Sequence, residues 1–135
     1  MQESIFPTQL ETFFTDPHFM TLGTLRNDGS IQMSVVWYEY VHGVFKVSTT
    51  SERAKYKNIS RDYRVTFVVM DKNNPYRYIQ VRGNTTIDRQ DAHDLIDRLS
   101  LRYTGNTPYQ GDPQHKEDRV VITITPSDFT TMGFD

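Results

Sequence analysis

Hydrophobic and polar residues alternate with a period of two along much of this chain, a pattern typical of β-strands. The alternation is clearest from Ile31 to Tyr40. One face of that segment carries Ile31, Met33, Val35 and Trp37, and the other carries Gln32, Ser34, Val36 and Tyr38. Richness in β-branched and aromatic residues predicts five further strands, at Phe19 to Leu25, Val44 to Ser48, Arg64 to Met70, Tyr76 to Ile87 and Arg119 to Thr125.

Helical patterns lie between these strands. Residues 8–15 predict a short helix that Asp16-Pro17 ends, and about ten residues ending near Asp62 predict a second. Residues 89–103 predict a third, because apolar residues recur there at the spacing of one helix face. Six strands with mostly hairpin-length links favour antiparallel pairing and closure into a barrel. We expect a single mainly β (α+β) domain over residues 1–135.

The connections carry their own signals. Asn27-Asp28-Gly29 predicts a tight turn, and Gly83 inside a long strand predicts a bulge or a close backbone approach. The polar segment 104–118 predicts a long loop, which is often functional. The residues after Thr125 predict a loosely held tail.

Composition narrows the function classes. The net charge of −2 over 135 residues gives no basic field for nucleic acid or acidic membranes. The absence of cysteine removes disulfides and thiol chemistry, and no apolar stretch reaches membrane-spanning length. The N-terminus lacks the layout of a signal peptide. We therefore expect a soluble, cytoplasmic protein.

The segment from Thr49 to Ile59 is the strongest candidate for a binding site. It places hydroxyls and then Arg53, Lys55 and Lys57 where a strand gives way to a helix. Hydroxyls, helix N-termini and cations together bind anions such as phosphate. Arg53 and Lys57 share one helix face, whereas Lys55 points elsewhere. The alternative is a solvated surface helix with a capping box formed by Thr49 and Glu52.

Two strands offer groups for a planar ring. Gln32 and Ser34 share a face that ends near the indole of Trp37, and Tyr76-Arg77-Tyr78 combines aromatic rings with a cation. The alternatives are a half-exposed sheet and a cross-strand aromatic pair. No nucleophile motif, acid/base pair or metal-ligand spacing stands out, so we expect no metal site.

These segments together resemble a known family. The resemblance rests on Gly43-Val44-Phe45-Lys46-Val47-Ser48, on Ser51-Glu52-Arg53-Ala54-Lys55-x-Lys57-Asn58-Ile59-x-Arg61-Asp62-x-Arg64-Val65, on Asn74-Pro75-Tyr76-Arg77-Tyr78-x-x-Val81-Arg82-Gly83, and on Ile96-Asp97-Arg98-Leu99 with Arg102-Tyr103-Thr104-Gly105. The chain is similar to the pyridoxamine 5′-phosphate oxidase-like superfamily of FMN-binding split barrels. Within it, the closer similarity is to reductases that use the deazaflavin coenzyme F420.

The resemblance implies a split β-barrel that forms a homodimer, with two cofactor sites at the subunit interface. It implies an oxidoreductase that transfers a hydride between F420 and a small conjugated organic substrate. The implied cofactor-binding residues are Gln32, Ser34, Val36, Trp37, Val47, Ser48, Arg53, Lys55, Lys57 and Tyr78. Arg53, Lys55 and Lys57 would bind phosphate, and Ser34, Val36 and Trp37 would contact the ring.

Two alternatives stay open. One is an FMN-binding oxidase or reductase of the same fold. Flavin-binding members often have Arg-Lys directly before the alanine, whereas this chain has Glu52-Arg53, and this difference counts against FMN. The other is a non-catalytic binder, either of a cofactor or of single-stranded nucleic acid. The acidic balance disfavours nucleic acid.

Overall fold

The computed structural model describes residues 4–111 and 118–134. Three helices and seven strands follow one another as α1 (Thr8–Thr15), β1 (Phe19–Leu25), β2 (Ile31–Val36), β3 (Glu39–Val41), β4 (Val44–Thr50), α2 (Ala54–Arg61), β5 (Arg64–Asp71), β6 (Asn74–Asp88), α3 (Ala92–Thr104) and β7 (Arg119–Met132). The three predicted helices and the six predicted strand segments are all present. No helix within these residues is both long and apolar enough to cross a membrane.

All seven strands belong to one antiparallel sheet in the order β2-β1-β5-β6-β7-β4-β3. β2 and β3 lie at opposite edges of this sheet, although only Trp37 and Tyr38 separate them in the chain. The sheet must therefore curl until its edges approach each other. The two edges do not pair, so the barrel keeps an open seam between β2 and the β3-β4 edge. The predicted mainly β, split-barrel fold is confirmed.

The strand count differs from the prediction because the segment from Ile31 to Tyr40 is two strands. Tyr38 is fully buried, and its hydroxyl donates to the carbonyl oxygens of Phe14 (3.0 Å) and Asp16 (3.2 Å). Those carbonyls lie at the end of α1. A side chain drawn into the core at this point interrupts the ladder, so the chain crosses from one sheet edge to the other.

The predicted loose tail is wrong for residues 126–134. β7 continues past Pro126 to Met132, which pairs with Tyr78 of β6. A register shift beside Gly83 accommodates Pro126, which has no N–H to donate. A side chain at Gly83 would put its Cβ 2.6 Å from the carbonyl oxygen of Thr125, so the predicted bulge and close backbone approach are confirmed.

The predicted capping box at the start of α2 is also wrong. β4 extends to Thr50 and pairs Thr49 with Val120, so Thr49 is buried in the sheet and cannot cap a helix. The N-cap residue is Arg53, and no side chain donates or accepts at that cap. The first turn of α2 therefore keeps its backbone N–H groups available.

The barrel core is aromatic. Phe14 of α1, Phe45 of β4 and Phe67 of β5 are buried, with the Phe45 ring centroid 4.8 Å from each of the other two. A second, smaller cluster forms beside the seam, where Leu95 and Leu99 of α3 pack with Val121. α3 ends at Gly105, whose φ of 79° is easy for glycine. Within the predicted loop 104–118, residues 112–117 lie outside the described residues.

Candidate cofactor-binding groove

A groove of about 230 Å³ follows the open seam of the barrel, and we call it the seam groove. β2 contributes its end, β4 its last residues, α2 its first turn, α3 one face and β7 its first residue. The side chains that matter chemically are Val36, Trp37, Ser48, Arg53, Lys55, Tyr109 and Arg119. The lining therefore has an aromatic and apolar part around Val36 and Trp37, which we call the aromatic end, and a cationic part around Arg53, Lys55 and Arg119, which we call the cationic end.

Lys55 lies in the cationic end. Its side chain is 8% exposed although it belongs to a short surface helix. Burial lowers the pKa of the Lys55 ammonium, and the neighbouring Arg53 and Arg119 lower it further. No ion pair joins Lys55 to a carboxylate within residues 4–111 and 118–134. A charge held out of water beside like charges favours an anion as its partner.

Arg119 enters the same end from the first position of β7. It is also 8% exposed, and its Nη atoms donate to Ser48 Oγ (3.4 Å) and to Tyr109 Oη (3.2 Å). Its Nε is buried without an acceptor in the described part of the chain. Burial lowers the pKa of the Arg119 guanidinium, Tyr109 opposes that shift, and Arg53 adds to it. The guanidinium nevertheless stays charged near neutral pH.

Trp37 forms the aromatic end of the groove. Its ring is stacked on Tyr103 of α3, with centroids 5.4 Å apart and an interplanar angle of 4°. The Tyr103 hydroxyl donates to the carbonyl oxygen of His18 (2.6 Å) and accepts from the backbone N–H of Tyr38 (3.3 Å). These bonds fix the ring that supports Trp37, so the indole is a preorganised flat surface.

Five of the ten predicted cofactor residues line the seam groove. They are Val36, Trp37, Ser48, Arg53 and Lys55. Ser34 lies two residues before Val36 on the same face of β2, and its Oγ is buried without a hydrogen-bond partner among the described residues. A ligand beside β2 would satisfy that hydroxyl, which is otherwise costly to bury.

The structure places the other four elsewhere. The Gln32 side chain accepts from Thr24 Oγ1 (3.0 Å), which in turn accepts from Asn58 Nδ2. Val47 is fully buried in the core, so its side chain does not reach the groove. Lys57 is exposed and outside the groove lining, and Tyr78 lies on β6 opposite Met132.

The sequence analysis did not name Arg119 or Tyr109 as site residues. Arg119 opens an apolar strand, and a cation at that position was its only local signal. It reaches the groove because β4 and β7 pair, with Thr50 opposite Arg119. Tyr109 follows α3 in an irregular segment, where its backbone N–H donates to Asp97 Oδ1 (2.8 Å). No local pattern marks it.

A second surface lies on the outside of the barrel. Three apolar residues of β2 are more than half exposed there: Ile31 (59%), Met33 (55%) and Val35 (66%). A groove of about 600 Å³ across β1, β5 and β6 adjoins them. We call these three residues and this groove together the outer apolar face. Val35 borders the seam groove as well. The two surfaces are therefore continuous along β2.

Comparison with known proteins agrees with this architecture. Residues 6–133 match the family model described as pyridoxamine 5′-phosphate oxidase. The chain belongs to the pyridoxamine 5′-phosphate oxidase family. No curated protein matches the chain in the comparison made against them.

Solved structures of the pyridoxamine 5′-phosphate oxidase fold include a protein described as an F420 reductase. It is 33% identical, the match covers 93% of this chain and 98% of that one, and the TM-score is 0.82. A conserved hypothetical protein of Mycobacterium tuberculosis shares the fold at 22% identity, with coverage of 98% and 89% and a TM-score of 0.76. A putative pyridoxamine 5′-phosphate oxidase of Listeria innocua shares it at 12% identity, with coverage of 93% and 97% and a TM-score of 0.72. The resemblance to the superfamily and to its F420-using branch is confirmed.

Proposed function

We propose that this protein is an F420-dependent oxidoreductase that transfers a hydride between the deazaflavin and a small conjugated organic substrate. The observation that carries the proposal is the seam groove, whose lining combines a supported indole with buried cations that have no carboxylate partner among the described residues. The 33% identity to a protein described as an F420 reductase, over nearly the whole of both chains, supports the choice of F420.

The groove residues fit a phosphorylated, ring-bearing cofactor. Arg53 and Lys55 would bind the phosphate through charge-assisted hydrogen bonds, aided by the free N–H groups of the first turn of α2. Val36 and Trp37 would bound the ring, and the Ser34 hydroxyl would gain the hydrogen bond that it lacks. These are the roles that the sequence predicted for these five residues.

The chain's own residues then bind, orient and exclude water. A bound deazaflavin supplies the hydride, so the protein needs no acid/base pair for that transfer. The apolar side of the groove, where α3 contributes Leu99, keeps water from one flank. Trp37 offers a flat surface for a conjugated substrate beside the ring of the cofactor.

We further propose a homodimer in the cytoplasm, with the outer apolar face as its interface. Exposed apolar patches of this kind mark protein contacts. Val35 borders both surfaces, so a partner bound at the outer apolar face would reach the seam groove and could complete a shared site. Tyr78, Gln32, Val47 and Lys57 stay predictions for cofactor contacts. Tyr78 would act across the interface, and Lys57, which is exposed and outside the groove lining, would contribute least.

FMN is the second candidate cofactor, because the family match fits the FMN-binding split barrels as well as their F420-using branch. A parallel titration with F420 and FMN tests the choice. Trp37 is the only tryptophan of the chain, so its fluorescence reports binding at the groove directly. We expect tighter binding of F420 and oxidation of reduced F420 by a conjugated acceptor. Tighter binding of FMN would identify FMN as the cofactor in place of F420. Binding of either cofactor without turnover would favour a non-catalytic carrier.

A further inference from the structure

Two buried cations face the same groove from distant parts of the chain. Lys55 comes from α2 and Arg119 from the start of β7, and each is 8% exposed. The exposed Arg53 lies close enough to shift the pKa of both downwards. Three cations therefore line one small groove, and the repulsion between the two buried ones, Lys55 and Arg119, is only weakly screened by water.

The local carboxylate does not neutralise this group. Asp118 precedes Arg119 in sequence, but its oxygens accept from the Ser51 hydroxyl (2.8 Å) and from Arg89 (3.4 Å). Among the described residues, the groups that accept from Arg119 are the hydroxyls of Ser48 and Tyr109, which carry no charge. A buried guanidinium with only neutral partners destabilises the protein unless something else compensates it.

The orphaned Nε of Arg119 indicates what that compensation is. A guanidinium presents its N–H groups in a rigid fork that matches phosphate and carboxylate oxygens. Two N–H directions of Arg119 are used by hydroxyls, and the buried Nε–H has no acceptor in the described residues. An anion in the seam groove would accept from it.

We propose that Arg119 is an anion-binding residue of the seam groove, which grips the phosphate-bearing end of the ligand together with Lys55. The ligand's identity as a cofactor rests on the proposed function, but the anion site itself does not. In this proposal Arg119 is the third cation of the phosphate anchor, the role that the family resemblance implied for Lys57.

Tyr109 is the positioning residue for Arg119. The guanidinium carbon lies 5.1 Å from the centroid of the Tyr109 ring, and the Tyr109 hydroxyl accepts from Nη2 at 3.2 Å. The backbone of Tyr109 is itself held by Asp97. The ring restricts the guanidinium on one side and leaves its Nε side for the ligand.

The test uses inorganic pyrophosphate as a probe, followed by F420 and FMN, on the full chain. Arg119→Gln removes the charge and keeps a polar side chain, and Arg119→Lys keeps the charge without the planar fork. As a control, Lys72→Gln removes an exposed cation that is outside the groove lining. Pyrophosphate should raise the unfolding temperature of the parent and of Lys72→Gln, and Arg119→Gln should lose most of that rise. Cofactor affinity should fall about tenfold to a hundredfold in Arg119→Gln and by less in Arg119→Lys.

The unliganded protein separates a binding role from a structural one. Because Arg119 is buried among like charges, Arg119→Gln should unfold within about 2 °C of the parent or above it. Tyr109→Phe keeps the ring and loses the acceptor, so it should weaken binding only about two- to fivefold. Failure of Arg119→Gln to fold, or parental pyrophosphate and cofactor binding by it, would overturn the inference.

The two proposals can fail separately. A parent that responds to pyrophosphate through Arg119 but binds neither F420 nor FMN would refute the cofactor and keep the anion site. A parent that binds F420 equally well with and without Arg119 would keep the cofactor and refute the site.

Discussion

The seam groove and the outer apolar face share strand β2 but differ in whether their cations are paired with carboxylates. On the outer face, Arg82 pairs with Asp128 and Arg64 pairs with Asp62, so each cation there has its own carboxylate. In the seam groove, Lys55 and Arg119 are buried with no such partner in the described chain. Paired charges beside apolar side chains suit a protein surface that another protein covers. Unpaired buried cations suit a small anion.

The contrast extends to the two faces of β2 itself. Ile31, Met33 and Val35 point outwards with more than half of their surface exposed, while Ser34 and Val36 lie on the other face, towards the seam. Because side chains alternate along a strand, this six-residue segment presents one face to the proposed partner and the other to the proposed ligand. A slip of one residue would exchange the two roles, so the register of β2 with β1 is central to both.

The largest expected effect comes from placing a charge on the outer apolar face. Met33→Glu would put a carboxylate on each protomer of the proposed two-fold interface, where burial and like-charge repulsion both oppose association. We expect the parent to sediment as a dimer and Met33→Glu as a monomer at micromolar concentration. Cofactor affinity should fall with it, since Val35 joins the interface to the groove.

Gln9→Glu, which adds the same charge on the exposed side of α1, serves as the control and should stay dimeric. A Met33→Glu monomer that binds cofactor with parental affinity would show that the site belongs to one subunit. In that case the outer apolar face would have a separate purpose.

A smaller but still large effect is expected from the seam groove. Lys55→Ala removes a charge-assisted contact to phosphate and should weaken cofactor binding about tenfold to a hundredfold, as measured by quenching of Trp37 fluorescence. The same substitution removes a desolvated ammonium that has no described carboxylate partner. The unfolding temperature of the unliganded protein should therefore stay level or rise. A clear fall in stability with unchanged affinity would make Lys55 a structural residue.

Local patterns explain what the sequence could predict. Alternation located the strands, and helical spacing located α3, because each depends on residues close together in the chain. Arg53 and Lys55 could be predicted as candidate phosphate-binding residues in the same way, since the strand-to-helix transition and the cations lie within one segment. Trp37 could be predicted as a candidate ring-binding residue because it follows a clearly alternating strand pattern.

Features that depend on distant pairing could not be read in this way. Arg119 reaches the groove only because β7 pairs with β4 and sets it opposite Thr50, nearly seventy positions earlier. The residues after Pro126 continue β7 because they pair with β6, and no residue close to them in the sequence predicts that pairing. The break in the strand at Tyr38 depends on carbonyl oxygens at the end of α1. Long-range contacts decided each of these cases.

The smallest expected effect comes from Lys57. Its substitution tests whether the cations of the segment from Thr49 to Ile59 all bind the ligand or only those that line the seam groove do. Lys55 and Lys57 are two positions apart on α2, so their side chains point to nearly opposite sides of the helix. Lys55 is buried in the groove, while Lys57 is exposed and outside it. Lys57→Ala should therefore change cofactor affinity less than about twofold in 0.15 M salt, where an exposed charge acts only over roughly 8 Å.

The double variant makes this comparison decisive. If Lys57 acts independently of the groove, Lys57→Ala should have the same effect of less than about twofold in the Lys55→Ala background as it has alone, within the error of additivity. A tenfold loss in Lys57→Ala would instead place an anionic part of the ligand on the outer side of α2. The cofactor would then have to extend around the first turn of the helix, past the exposed Arg53, which is four positions before Lys57.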